Sequence, residues 1–203
     1  MAGDRAIELH HLIVAEGRDD QILIEALAKR EGLTHVQVTH CQGRDNLGNK
    51  LAAYAASPGF VDLISLGIVL DAEKSAAATG AMVEAAIVKA KAMLVPATTW
   101  PRTTVHVVPD PEPQGMMEDV CLATLADRPV MGCVDTYLSC CHDHGGQAAP
   151  PNPSKARFQA WLATQPLGSG KPYFLGSAVE CDLLDLSHAA FGALRAFIRE
   201  VAR

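Results

Sequence analysis

The sequence predicts an α/β fold, a parallel sheet flanked by helices and followed by a helical C-terminal extension. Three observations predict it. Leu12-Ile13-Val14-Ala15 is a short apolar run that ends in Glu16-Gly17, after which a helical pattern begins. A longer apolar run, Ile64 to Leu70, ends in Asp71-Ala72-Glu73. Strand-like and helix-like segments then alternate over roughly residues 10 to 125, the order that builds a parallel sheet covered by helices. Residues 8–128 are therefore expected to form an α/β core, and residues 129–203 a mainly helical extension packed on it.

Each element has a local reason. Leu12 to Ala15 reads as a buried strand, and from Asp20 to Arg30 the residues Ile22, Leu23, Ala26 and Leu27 recur at helical spacing before Gly32 stops the pattern. Val36 to Thr39 alternates like a second strand, Gly43 to Asn46 is a polar turn, and Leu47 to Ala56 reads as helix. Ser57-Pro58-Gly59 breaks that helix ahead of the strand that ends at Leu70. Thr79 to Leu94 reads as a further helix, and Pro96 and Pro101 interrupt the chain before a strand over Thr103 to Val108. Pro109 to Gly115 is a proline-rich loop, and Met116 to Leu125 is helical with Glu118 and Asp119 in its first turn, where acids suit the helix dipole. Beyond it the tract from His142 to Ser154 reads as exposed loop. Lys155 to Thr164 and Ala189 to Ala202 read as helices, the last amphipathic through Phe191, Leu194, Phe197, Ile198 and Val201.

Bulk properties narrow the class. At 203 residues with 49% hydrophobic and 5% aromatic content, the chain suits one domain with a core of Ala, Val, Leu and Ile. No apolar run approaches the roughly 18 residues needed to cross a bilayer, and Met1 to Arg5 lacks the pattern of a secretion signal. A cytoplasmic protein without membrane association is the expectation. The six cysteines, irregularly spaced, are expected to be reduced core fillers. A net charge of −6 weighs against strong autonomous binding to a nucleic-acid backbone.

Two buried strands that each deliver acids at their carboxyl ends put those acids where open parallel sheets hold ligands. Grouped hard oxygen donors point to Mg²⁺ or Mn²⁺. Glu16, Gly17 and Asp20 after the first strand, and Asp71-Ala72-Glu73 after the later one, resemble the two motifs of the Toprim fold, the catalytic domain shared by primases, type II topoisomerases and OLD-family nucleases. More closely, Gly43-Arg44-Asp45-Asn46-Leu47, Leu66 to Glu73 and Gln114-Gly115-Met116-Met117-Glu118-Asp119 resemble an uncharacterised bacterial Toprim-related family near the OLD-type nucleases. The resemblance covers most of residues 10 to 125 and, more loosely, the region from Lys155 to Arg203.

That resemblance implies a Toprim-like sheet and a metal-dependent nuclease. Asp71 and Glu73 would hold a Mg²⁺ ion that relieves their mutual repulsion. Glu16 would be a further ligand or a general base, Asp20 a second catalytic acid, and Glu118 with Asp119 a second metal position. Structural readings stand beside these: Asp20, Glu118 and Asp119 also suit the first turns of helices. Lys155 would contact a phosphate, although Lys155, Arg157 and Lys171 also read as solvated cations. The sequence departs from the family in carrying Asp-x-Glu for Asp-x-Asp, and it has no Gly-x-x-x-x-Gly-Lys-Ser/Thr segment. Gly168-Ser169-Gly170-Lys171 reads as a loop.

Other features carry less. Cys133, Cys140, Cys141, His142, Asp143 and His144 could form a zinc site only if adjacent cysteines shared one ion. His10 and His11 read as surface residues, and Trp100 and Trp161 as packing anchors. The expected activity is Mg²⁺-dependent phosphodiester cleavage. The alternatives are a non-catalytic module that binds nucleic acid, nucleotide or a protein partner, a homodimer included, and a small-molecule phosphohydrolase.

Overall fold

The strands form where the sequence is apolar without interruption, because both faces of the sheet are covered and each strand must be apolar on both sides. The computed structural model describes residues 6–94, 98–145, 150–167 and 170–203. Expectations for Met1 to Arg5, Pro96, Gly168 and Ser169, and for part of the tract from His142 to Ser154, lie outside the described residues. Four strands, β1 (His11–Ala15), β2 (Val36–His40), β3 (Ser65–Asp71) and β4 (Arg102–Val108), pair in parallel in the order β2-β1-β3-β4. Eight α-helices accompany them among the described residues: α1 (Arg18–Arg30), α2 (Leu47–Ala55), α3 (Ala76–Lys91), α4 (Met117–Ala123), α5 (Val130–Gly145), α6 (Pro153–Leu162), α7 (Leu175–Glu180) and α8 (Gly192–Val201). The protein is thus an α/β fold with a helical C-terminal region.

Side-chain alternation along β1 divides the core. Leu12 and Val14 join Leu66, Ile68 and Leu70 beneath α2 and α3, through Leu47, Leu51, Val83 and Ile87. Ile13 and Ala15 face the other way, with Val36, Val38 and Val69, against α1, α4 and the C-terminal helices. Trp161, Phe158, Leu194, Phe197 and Val201 belong to that second cluster, so residues beyond 129 complete one face of the sheet. α8 approaches β3 closely at Gly67, where an added Cβ would stand 2.7 Å from Val201 Cγ2 and 2.9 Å from Phe197 Cζ.

This layout creates a crevice. The chain leaves β1 through α1 to reach β2 on one side, then crosses back to β3 and β4 on the other, with α2 and α3 on the opposite face. The helices that follow β1 and β3 therefore diverge, and the gap between the carboxyl ends of those two strands is a topological switch point.

The structure corrects several expectations. α5 runs through Gly145, into the tract expected to be loop, because only Met131 and Val134 are buried along it and its helical period is faint in the sequence. α7 is too short to show a period at all. The last helix is divided, with a 3₁₀ turn over Ala189–Phe191 ahead of α8. α3 begins three residues early, because the Ser75 hydroxyl accepts the N–H of Ala78 at 3.2 Å and caps it. Cys41 and Cys121 are buried, but Cys133, Cys140 and Cys141 are exposed on α5, so those three are not core fillers. His11 is not a surface residue either. It is half-buried, with Nδ1 2.8 Å from Ser65 Oγ and 3.0 Å from the Val201 carbonyl. Trp161 is fully buried, and Trp100 packs on Phe60 with ring centroids 5.3 Å apart. No helix among the described residues is long and apolar enough to cross a membrane.

Candidate active site

Glu16 leaves the carboxyl end of β1 and Asp71 ends β3, and the parallel pairing of these strands brings both acids to the crevice. Gly17 caps the N-terminus of α1 in an extended conformation. Asp20, three residues on, accepts the Gly17 N–H at 2.8 Å. The Glu16 carboxylate reaches across to the backbone N–H of Asp71 at 3.4 Å. From the far side, the Met117 N–H at the start of α4 donates to Asp71 Oδ1 at 2.9 Å. The next residue, Glu118, faces the same space.

These residues surround a cavity of about 240 Å³ lined by Glu16, Asp19, Asp20, Asp71, Glu73 and Glu118, with Arg18, Asn152 and Lys155 at its edge. Burial pushes Asp71 up to about 9, helped by the negative charges of Asp20, Glu16 and Glu118. Burial also lifts Asp20 to about 7, against the opposing pull of the Gly17 N–H. Glu16 is raised by burial, and the Asp71 N–H and the Arg44 guanidinium offset part of that rise. Glu118 is raised by burial in spite of Lys155, whose Nζ lies 3.9 Å from its Oε1. Four acids thus crowd one half-buried space at a cost in charge repulsion.

Such a set fits a hard divalent cation: the donors are oxygens, and a cation would relieve the repulsion that holds protons on them. Among the described residues, however, no group of three His, Cys, Asp or Glu side chains is already arranged to hold an ion. Binding one would therefore require these side chains to draw closer together. Part of the donor capacity is already engaged, one Asp71 oxygen by Met117 and one Asp20 oxygen by Gly17.

The expected site residues do not all share one role. Glu16, Asp20, Asp71, Glu73, Glu118 and Lys155 line the acid cavity. Glu73 sits at φ +54 and forms an isolated antiparallel bridge with Gly115, which sets it at the boundary with a neighbouring cavity. Asp119 lines only that neighbour, accepts the Met116 N–H at 2.8 Å and takes a hydrogen bond from the Ser154 hydroxyl. Arg157 pairs with Asp135 at 2.7 Å, and Lys171 with Glu180 at 2.7 Å; neither lines the acid cavity.

Sequence reading missed Arg44 and Thr79 as supports. The Arg44 guanidinium donates to Thr79 Oγ1 at 2.9 Å, and that hydroxyl donates to the Asp71 carbonyl at 3.2 Å. The Gly43 to Leu47 segment was the available signal, since a polar motif after a strand calls for a partner. Asp19 was missed too. It accepts the Gly176 N–H at 3.1 Å and joins α7 to the cavity wall, a contact across 157 residues that no local pattern announces.

The fold and site define an α/β protein with an acid-lined cavity at its switch point. The chain belongs to the family described as protein of unknown function (DUF3226), which matches residues 10–203. No curated protein and no solved structure matched the chain.

Proposed function

We propose that this protein is a Mg²⁺- or Mn²⁺-dependent enzyme that cleaves phosphate ester bonds, of the Toprim type. The observation that carries this reading is the convergence of Glu16, Asp20, Asp71 and Glu118 on one cavity between β1 and β3. Asp71 and Glu73, with Glu16 opposite, would hold the cation. When bound, the cation would supply charge neutralisation and activation of a water or an ester oxygen. Glu16 would serve there as a ligand or, where the cation leaves it free, as the group that takes a proton from water. Lys155 at the rim can orient an anionic oxygen, and Arg44 with Thr79 steadies the end of β3.

The Toprim resemblance favours a phosphodiester strand as substrate. The net charge of −6 and the acidic lining favour a small phosphate ester. A non-catalytic binding module is the competing class.

Calorimetry of Mg²⁺ and Mn²⁺ on the wild type and on Asp71→Ala/Glu73→Ala, followed by hydrolysis of bis(p-nitrophenyl) phosphate, tests the reading. Binding and hydrolysis that disappear together in the variant are expected. Hydrolysis that survives the variant would point to a contaminant, and no cation binding by the wild type would sink the proposal.

A further inference from the structure

The acid cavity is one end of a longer groove. It shares Glu73, Met116 and Asn152 with a second cavity of about 480 Å³, within the usual range for small-molecule sites. Its walls are built from backbone that is already satisfied. Glu73 and Gly115 exchange both backbone hydrogen bonds, at 2.7 and 2.9 Å, and Ala76 donates to the Pro113 carbonyl at 2.7 Å. Gly115 sits at φ +130 with Pro109 against it, where a Cβ would meet the proline ring at 2.8 Å. Pro109, Met116, Pro151 and Pro153 add apolar wall.

Size and charge then restrict the occupant. About 240 Å³ has room for an ion and a phosphate group, but little for the rest of an ester. The second cavity is where that remainder has space. It presents Glu73, Glu112 and Asp119 against one ammonium, that of Lys74. A nucleic-acid strand with its next phosphate there would set like charges against each other at short range.

We propose that the second cavity seats the body of the substrate, and that the substrate is a compact phosphate ester whose body carries an amine. The inference rests on the phosphate-ester reading and narrows it. Glu112, exposed at the rim, is the specificity-determining residue, because Glu73 belongs to the proposed cation site and Asp119 is engaged by Met116 and Ser154.

The test is backbone amide NMR titration in Mg²⁺ with three probes: inorganic phosphate, O-phosphoethanolamine and thymidine 3′,5′-bisphosphate. All three are expected to shift Gly17 and Met117. Phosphoethanolamine is expected to shift Gln114 and Gly115 as well, and to bind about fivefold tighter than phosphate, the size of one partly exposed ion pair. The bisphosphate is expected to bind most weakly. Glu112→Gln should remove the preference for the amine, and Glu112→Lys should favour the bisphosphate. Equal binding of the three probes, or an order unchanged by Glu112→Lys, overturns this inference while leaving phosphate binding intact. Failure of inorganic phosphate to shift Gly17 or Met117 overturns the phosphate-ester reading, and this inference with it.

Discussion

The Met117 N–H donates to Asp71 Oδ1 at 2.9 Å, joining the end of β3 to the start of α4 across 46 residues. This bond uses one carboxyl oxygen, and burial beside Asp20, Glu16 and Glu118 keeps a proton on the group up to about pH 9. An asparagine can accept the same N–H through its amide oxygen but carries no charge. Asp71→Asn is therefore expected to fold, and to melt a few degrees above the wild type at pH 7 without added metal, because on folding the wild type must take up a proton or bury a charge there and the asparagine does neither. It should also lose any melting shift on adding Mg²⁺. Thermal scans of both proteins with and without Mg²⁺ measure this. A variant that melts lower, or that keeps the Mg²⁺ shift, would show that Asp71 is not the strained ligand described above.

The pH dependence follows from the same carboxylates. Without metal, Asp20 is raised to about 7 and Asp71 to about 9, whereas unfolded carboxyl groups titrate near pH 4. Between those limits the folded state holds more protons than the unfolded chain. Their contribution is fully present below about pH 4 and is lost as pH rises through about 7 and then 9. Urea midpoints measured in chelator should fall from pH 5 to pH 9, and Mg²⁺ should restore more stability at pH 9 than at pH 6, since protons then compete less. In Asp71→Asn the fall through about pH 7 should remain, because Asp20 is still buried, and the further fall towards pH 9 should shrink. A fall towards pH 9 as steep as in the wild type would show that Asp71 does not cause it.

How much of this was legible in the sequence depends on range. β1 and β3 were readable because strands buried on both faces are continuously apolar, and because Glu16 and Asp71 interrupt that pattern at their ends. α5 was not, since just two of its described residues are buried and its cysteine-rich surface imitates apolar content. The site was legible as a set of acids but not as a division of labour. Nothing local separates Asp20, which both caps α1 and lines the acid cavity, from Asp119, which makes the same bond on α4 and faces elsewhere. Arg44 and Thr79 meet only after α2 and α3 pack together.

Gly67 gives a test of the fold apart from the chemistry. Inside an apolar strand it reads as a weak point, yet α8 requires it: Val201, Phe197 and Ile13 all stand within 3.0 Å of the place an alanine methyl would take. Gly67→Ala should cost about 1–3 kcal/mol through overpacking, lowering the melting temperature by roughly 2–12 °C for a chain of this size. Phe197→Leu in the same background should recover part of the loss. A melting temperature unchanged by Gly67→Ala would mean that α8 is not held against β3 as described.

Asp119 separates a helix cap from a metal ligand. Its Oδ2 accepts the Met116 N–H at 2.8 Å, and its other oxygen takes the Ser154 hydroxyl, so it anchors both the start of α4 and the first turn of α6. A cap needs an acceptor and not a full charge, whereas a hard cation needs the charge. Asp119→Asn is therefore expected to keep both stability and Mg²⁺ affinity within about twofold, and Asp119→Ala to lose about 1 kcal/mol of stability with Mg²⁺ affinity still measurable by calorimetry. If Asp119→Asn instead abolished Mg²⁺ binding in a protein of normal melting temperature, Asp119 would be a ligand. The cation would then sit nearer the second cavity than ligation by Asp71, Glu73 and Glu16 implies.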